Sequence, residues 1–319
     1  MKKVFLGLIV IVVVGTIGYF FKDPIFDYFR SGQIPELSSE MPPTTKQLFA
    51  VSIDNSPEAR PQSGLAVADV VIETLAEGGV TRFLAFYSSA SDSPTEKIGP
   101  VRSARPYFVD WAFGQTAVLA HSGGSKEALE KIENTDGLFD ANEFYNEKYY
   151  WRDAKLRAPH NLFTSMKLLG ELAEKKNWAT DPLLQFLPTG GGGKVGGIAS
   201  NISVDFSYAP YAVAFNYNSD SRVYERKQSG SPKIFPKNVV VMYTDSTVID
   251  KSLLTIDLRT TGSGKAVVFR GGSVQQVRWK KEGATAPLQL LDADGTGVVL
   301  APGLTWFVVL DQAGSASWK

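Results

Sequence analysis

Two histidines and two closely spaced arginines stand out in this sequence as side chains that could do chemistry. His121 follows an apolar stretch and precedes the turn Ser122–Ser125. Backbone N–H groups at such a turn, and at the start of the helix predicted after it, suit a carboxylate or phosphate. Alternatively, Ser125 only caps the helix and His121 is a hydrogen-bonded core residue. The segment therefore predicts either an anion site or a helix start.

The two arginines, Arg102 and Arg105, lie three residues apart between two prolines. On a helical turn both guanidinium groups would face one side and could hold an anion bidentately. Alternatively, they form structural salt bridges with nearby carboxylates. Three carboxylates are candidate partners: Asp54, Glu73 and Glu77. The last two are four residues apart and would share one face of a helix.

The second histidine lies in the segment Arg157–Leu162, where Pro159 restrains the preceding residue to an extended conformation. We therefore predict a rigid loop that presents His160 and Asn161. The sequence has neither an HExxH pattern nor a GxSxG elbow, so a zinc site or a Ser–His pair would require distant residues to converge. If both histidines serve one site, we expect them to lie together near Arg102 or Arg105.

Composition excludes several functional classes. The 319 residues contain no cysteine, which excludes disulfides, thiolate zinc sites and a cysteine nucleophile. Lys+Arg and Asp+Glu are equal at 33 each, so no net charge favours a nucleic-acid partner. The run Gly190–Lys194 fails the Walker pattern because Val195 follows the lysine. We predict no cofactor and no metal.

The N-terminus carries an uncharged apolar run, Val4–Phe21, after Lys2 and Lys3. Eighteen residues of helix span about 27 Å, enough to cross the hydrocarbon core of a bilayer. The run ends in bulky aromatic residues, which favour an uncleaved anchor over a cleaved signal peptide or a buried helix. We predict a single-pass transmembrane anchor (1–22) in the cell membrane and a tether (23–46), with the rest of the chain extracytoplasmic.

Beyond the tether, the pattern predicts a mixed α/β region (47–190) and a β-rich region (198–319). Three strands and two helices are expected in the first region: Leu48–Ile53, Arg82–Ser88, Thr116–His121, Ser125–Ile132 and Met166–Lys176. Ala68–Ala76 is ambiguous between strand and helix. Six strands are expected in the second region: Ile202–Phe206, Ala212–Tyr217, Val239–Tyr243, Ala266–Phe269, Val274–Trp279 and Thr305–Leu310.

Several motifs, in this order, resemble the YerB-like family, bacterial proteins named as lipoproteins and of unknown function. The motifs that carry the resemblance are Ser52–Asn55, Ala59–Leu65, Ala68–Asp69, Glu77–Phe83, Glu96–Arg105, His121–Ser125 and Arg157–Leu162. The resemblance covers about 48–319 and is looser in the second half. It implies an α+β fold of layered sheets and helices on the envelope face of a bacterial membrane. The lipidated cysteine of the lipoproteins is missing here, and the apolar N-terminal run would replace it as the anchor.

These observations favour a membrane-anchored envelope module that binds an anionic or carboxylate-bearing ligand, such as a cell-wall fragment. One alternative is an envelope hydrolase or transferase with His121 or His160 as general base. The other is a structural partner of an envelope protein complex. The candidate ligand-binding residues are Asp54, Asn55, Arg60, Glu77, Arg82, Arg102, Ser103, Arg105, His121, Ser122, Gly123, Gly124, Ser125, His160 and Asn161.

Overall fold

The computed structural model describes residues 47–89, 95–179, 190, 197–252 and 254–319. The predicted anchor (1–22) and tether (23–46) lie outside these residues, as does most of the glycine-rich run before residue 197. The described residues belong to one compact unit, Thr45–Lys319. Within them, no helix is long and apolar enough to cross a bilayer.

The first region alternates strands with short helices. Its strands are β1 (Leu48–Asp54), β2 (Val70–Leu75), β3 (Thr81–Ser88), β4 (Val118–His121), β5 (Phe139–Asn142), β6 (Trp151–Arg152) and β7 (Leu162–Phe163). Its α-helices are α1 (Pro106–Phe113), α2 (Lys126–Glu133), α3 (Glu143–Asn146) and α4 (Met166–Lys175). Four short 3-10 helices occur at Pro57–Ala59, Leu65–Val67, Glu77–Gly79 and Glu147–Tyr149.

The second region consists almost entirely of strands. They are β8 (Gly197–Ile198), β9 (Asn201–Asp205), β10 (Val213–Asn218), β11 (Val223–Lys227), β12 (Asn238–Tyr243), β13 (Ser246–Asp250), β14 (Thr255–Leu258), β15 (Gly262–Arg270), β16 (Ser273–Lys281), β17 (Gln289–Leu291), β18 (Thr305–Leu310) and β19 (Ser315–Trp318). A 3-10 helix occupies Ala209–Tyr211.

One large sheet unites the two regions. Among the described residues its order is β17-β16-β15-β12-β18-β2-β3-β1-β4-β5, with β8 beside β16. β18 runs parallel to both β12 and β2, and β1 runs parallel to β4, which in turn runs parallel to β5. A smaller sheet has the order β11-β10-β9-β19. The predicted boundary near residue 190 therefore separates two stretches of sequence whose strands share one sheet.

The large sheet is covered on both faces, which explains why its central strands are apolar without alternation. On one face, Val51, Phe83 and Trp306 pack with residues of the small sheet such as Phe215. On the other face, apolar residues of the sheet pack against three aromatic residues of α1: Tyr107, Phe108 and Trp111. The core thus lies in two layers on either side of the large sheet.

The predicted mixed α/β class and the β-rich second region are confirmed. The strands and helices predicted for each region are present, with ends shifted by a few residues. The ambiguous stretch 68–76 is a strand, β2, so Glu73 and Glu77 do not share a helix face. The helical turn considered for Arg102 and Arg105 is also wrong. Ala104 forms a bridge with Gly124, and Arg105 has extended dihedral angles just before α1.

Candidate functional site

Charged side chains converge at one edge of the large sheet. β1, β4 and β5 are parallel, so their carboxyl ends meet there, at Asp54, His121 and Asn142. β3 runs antiparallel and begins at this edge, which places Arg82 directly opposite Asp54. In open α/β sheets, ligands bind outside the carboxyl ends of the strands. We name this region the carboxyl edge.

Asp54 organises the centre of the carboxyl edge, although its side chain is only 1% exposed. One carboxylate oxygen accepts hydrogen bonds from the amide and the hydroxyl of Ser56, at 2.9 and 2.6 Å. The other oxygen lies 2.7 Å from Nδ1 of His160 and 3.1 Å from Nε of Arg102. Burial alone would raise the pKa of Asp54. The bonds from Ser56 and the charges of Arg102 and Arg82 outweigh it and lower that pKa.

His160 and Arg102 both turn their outer nitrogens away from Asp54. An ionised carboxylate only accepts, so Nδ1 of His160 donates and Nε2 is left as the outer nitrogen. Neither this Nε2 nor the two terminal nitrogens of Arg102 has a hydrogen-bond partner among the described residues. The side chains of His160 and Arg102 are 18% and 25% exposed. Solvent therefore reaches an imidazole and a guanidinium that are held side by side by one buried carboxylate.

A second cluster lies next to this pair. Glu77 accepts from Arg82 at 3.0 Å, and from Nε of Arg105 at 2.7 Å and its Nη2. Arg82 also donates to the carbonyl of Ser103, which accepts from the Ser52 hydroxyl as well. Arg105 is therefore a structural partner of Glu77, whereas Arg102 pairs with Asp54, so the two arginines do not form one clamp.

The charges in this second cluster remain ionised. Burial would raise the pKa of Glu77, but the guanidinium groups of Arg82 and Arg105 lower it to about 2. Burial and the charge of Arg82 lower the pKa of Arg105, but a guanidinium paired with a carboxylate keeps its proton. Three arginines (82, 102 and 105) thus face two carboxylates (Asp54 and Glu77). The excess positive charge within these five groups is cancelled, in formal charge with neutral histidines, by Asp140, Glu143 and Arg152 beside the same edge.

The turn after β4 is closed by hydrogen bonds within the protein. The amide of Ser122 donates to the carbonyl of Arg102, and that of Gly123 donates to the side-chain oxygen of Asn142. Gly124 pairs with Ala104, and the Ser125 hydroxyl accepts from the amide of Ala128 as the N-cap of α2. The predicted helix start is present. Most amides expected to hold an anion already have protein acceptors.

Of the two roles considered for His121, the structure shows the hydrogen-bonded core residue. Its ring is fully buried, with Nδ1 2.7 Å from the carbonyl of Gly123 and Nε2 2.7 Å from Asp140. Both ring nitrogens are engaged, so the ring presents nothing to solvent. His121 and His160 both lie close to residue 102, the former through Ser122 and the latter through Asp54.

A chain of polar side chains borders the His160 loop. The Ser122 hydroxyl donates to Glu143, and Arg152 links Glu143 to the side-chain oxygen of Asn161. Sequence reasoning missed Glu143 and Arg152 as members of the site. The signal for Arg152 was its position next to Trp151, shortly before the segment Arg157–Leu162 that contains His160. Glu143 has no comparable signal because only the fold brings it to Ser122.

Asn55 and Arg60 lie on the other face of the sheet. Asn55 is fully buried and donates to Glu73 and Thr81. Arg60 donates to the carbonyl of Asn55 and to that of Ser229 in the second region, and its guanidinium stacks on Tyr211. Arg60 thus connects the two regions, and Asn55 holds its guanidinium; neither side chain has a hydrogen bond to Arg102 or His160 among the described residues. The described residues contain no cluster of three or more possible metal ligands.

Fold and site together define a class of protein: a large mixed sheet built from two sequence regions, with a charged cluster at its carboxyl edge. Sequence models of the proteins of unknown function DUF3048 match both regions, the N-terminal domain at residues 36–179 and the C-terminal domain at residues 202–307. The chain is 31% identical, over 93% of its length and 91% of the relative, to a Bacillus subtilis (strain 168) protein named "Putative lipoprotein YerB". The crystal structure of YerB from Bacillus subtilis matches with a TM-score of 0.73 at 30% identity, covering 86% of this chain and 94% of that one. The chain belongs to the DUF3048 family and is a homologue of YerB.

Proposed function

We propose that this protein is a membrane-anchored component of the bacterial envelope that binds an anionic group, a carboxylate or a phosphate, between Arg102 and His160. One observation carries the proposal: buried Asp54 holds Nδ1 of His160 by a hydrogen bond and forms an ion pair with Arg102, whose Nε lies 3.1 Å away, while the outer nitrogens of both side chains have no partner among the described residues. Donors that are already oriented lose little freedom on binding an anion.

The anchor forms part of this proposal. The chain has the apolar run Val4–Phe21 and no cysteine that could be lipidated. Its relative is named as a lipoprotein. A transmembrane helix in one protein and a lipid in the other would place equivalent domains at the same membrane surface, with the described residues outside the cytoplasm.

Binding of simple anions tests the site. Full-length protein would be titrated with acetate and with inorganic phosphate by protein-observed NMR. We expect Arg102→Ala and His160→Ala each to weaken binding by about tenfold, the effect of losing one charge-assisted hydrogen bond. Arg278→Ala is the matched control because Arg278 is an exposed arginine on β16. Equal affinities in all four proteins would contradict the proposal and favour a purely structural role for these side chains.

Stability measurements separate binding from structure in the same variants. Arg102→Ala leaves Asp54 in contact with His160 and both Ser56 donors, so we expect the free energy of unfolding to fall by only about 1–2 kcal/mol. A loss of about 3–5 kcal/mol in urea titrations, typical of stranding a buried charge, would assign Arg102 to the structure.

A hydrolase or transferase is the second candidate, and the orientation of His160 favours it. A buried carboxylate that accepts from Nδ1 fixes the imidazole so that neutral Nε2 faces outward as a general base. The buried ring of His121 is unsuited to this role. Anion binding needs protonated His160 as a donor, whereas base catalysis needs the neutral ring. Turnover of cell-wall fragments that rises with pH and disappears in His160→Ala would establish the enzyme.

A further inference from the structure

Two adjacent aromatic side chains project from the short helix α3. Phe144 and Tyr145 are 67% and 82% exposed. Single exposed apolar side chains are common on protein surfaces, so the role of each ring depends on the residues around it. The two rings differ in what lies around them, and this difference allows the role of each to be tested separately.

Phe144 lies against the turn that is bonded to Arg102. Gly123 has a φ of +62°, and a Cβ at this position would come within 3.3 Å of two ring carbons of Phe144. The preceding residue, Ser122, donates its amide to the carbonyl of Arg102 and its hydroxyl to Glu143, the neighbour of Phe144. The ring thus lies against the same short turn that is bonded to the backbone of Arg102.

Polar side chains connect the residue before Phe144 with the residue after His160. Glu143 pairs with Arg152, which donates to Asn161, the residue after His160. The hydroxyl of Ser122 completes this row of polar groups. An acyl chain would strip water from all of them without replacing their hydrogen bonds, which is unfavourable. A sugar ring suits this surface better. Its hydroxyl groups can bond to the polar side chains, and its C–H face can pack on the ring of Phe144.

We propose that the ligand of this site is an acidic saccharide, a sugar ring that bears a carboxylate or a phosphate. This inference rests on the proposed function. The acid group lies between Arg102 and His160, and a C–H face of the sugar stacks on the electron-rich face of Phe144. The hydroxyl groups of the sugar exchange hydrogen bonds with Ser122, Arg152 and Asn161.

Tyr145 provides a matched control on the same helix. It borders a separate cavity of about 260 Å³ with Tyr149, Lys175 and Lys176, and none of its atoms comes within 4 Å of a Cβ placed at Gly123. Phe144→Ala and Tyr145→Ala each remove one exposed aromatic ring from α3. Only the former removes a ring beside the Arg102–His160 pair, so a general effect of truncating α3 would appear in both variants.

The experiment compares sugars with the acids they carry. Full-length protein in a detergent without a sugar headgroup would be titrated by NMR with methyl β-D-glucuronide, glucose 6-phosphate, methyl β-D-glucoside, acetate and inorganic phosphate. We expect an acidic sugar to bind about tenfold more tightly than its parent anion, and the neutral glucoside to bind least. If only the glucuronide or only the phosphosugar binds more tightly than its parent anion, that result shows whether the acid group of the ligand is a carboxylate or a phosphate. Either result supports the inference.

The two variants then show which aromatic ring provides the additional affinity for the acidic sugar. We expect Phe144→Ala to lower the affinity for the acidic sugar to that of its parent anion and to leave acetate and phosphate binding unchanged, while Tyr145→Ala behaves as wild type. Acidic sugars that bind no better than acetate or phosphate would overturn this inference alone, as would equal losses in both variants. Failure of every anion to bind would overturn the proposed function as well.

Discussion

Glu77 gives the carboxyl edge a measurable dependence on pH. Burial would raise the pKa of this carboxyl group, but Arg82 and Arg105 lower it from 4.5 to about 2. A carboxylate whose pKa is depressed in the folded state stabilises the fold above its unfolded pKa and loses that contribution on protonation. The contribution is therefore complete above about pH 4.5 and disappears as the pH falls towards 2.

We expect Glu77→Gln to lower the free energy of unfolding by roughly 1–3 kcal/mol at pH 6 and by much less at pH 2.5. The upper end of this range is reduced because the side chain is a third exposed and water screens its charge. Urea titrations of wild type and variant at the two pH values measure the difference. Glu174→Gln, at an exposed position on α4, controls for the loss of a surface charge. A Glu77→Gln deficit that stays constant with pH would refute the assignment.

At the scale of single residues, the sequence identified the side chains of the candidate site, but it did not identify the partner of each one. Arg102, Asp54 and His160 were all recognised as candidates. Their arrangement could not be derived, since the three-residue spacing of Arg102 and Arg105 favours a shared face only on a helix. The backbone before α1 is extended at Arg105, and the two arginines pair with different carboxylates. Contacts between residues about 50–100 positions apart leave no local pattern to read.

At the scale of elements, a buried ion pair joins β2 of the large sheet to β11 of the small one. Glu73 and Arg226 are completely buried and lie 2.8 Å apart, and Glu73 also accepts from the indole of Trp306 at 2.9 Å. The guanidinium of Arg226 lies over that indole, 4.6 Å from the ring centroid. Removing one partner of such a pair leaves a buried charge without compensation.

We expect Arg226→Met to lower the free energy of unfolding by about 3–5 kcal/mol, because the completely buried carboxylate of Glu73 loses its counter-ion. The double variant Glu73→Leu/Arg226→Met removes both charges and should recover a large part of that loss. Chemical denaturation of both single variants and the double variant completes the cycle. Additive losses in the double variant would mean that the pair is not coupled.

The presence of each strand and helix was easier to predict than the order of the strands in the sheet. The apolar runs of β1, β3 and β18 and the Ser125 N-cap of α2 are local signals, and each produced the expected element. Sheet order is set by packing between distant segments. Placing β18 between β12 and β2 requires the second region to contact the first, and no pattern within either region specifies this. The predicted boundary near residue 190 describes composition correctly but could not show that the two regions share strands.

At the scale of the whole molecule, the proposed anchor makes a prediction about topology. We expect full-length protein to fractionate with the membrane, and protease added to intact spheroplasts to remove the residues beyond the tether. Val12→Lys/Val13→Lys should shift the protein out of the membrane fraction, because each lysine costs about 2.5–3.5 kcal/mol at the centre of a membrane helix. Val12→Leu/Val13→Leu is the matched control. Soluble mature protein that begins after residue 20 would show a cleaved signal peptide instead.

The central position of β18 has a consequence for how the chain matures. Its residues, Thr305–Leu310, come late in the sequence yet pair with β2 on one side and β12 on the other. While the chain is being synthesised, β2 and β12 both expose an unpaired edge until more than 300 residues have emerged. Open strand edges are templates for association with other chains. The nascent protein therefore stays open to association at these edges until β18 has been made, and chaperones that shield strand edges would act longest on β2.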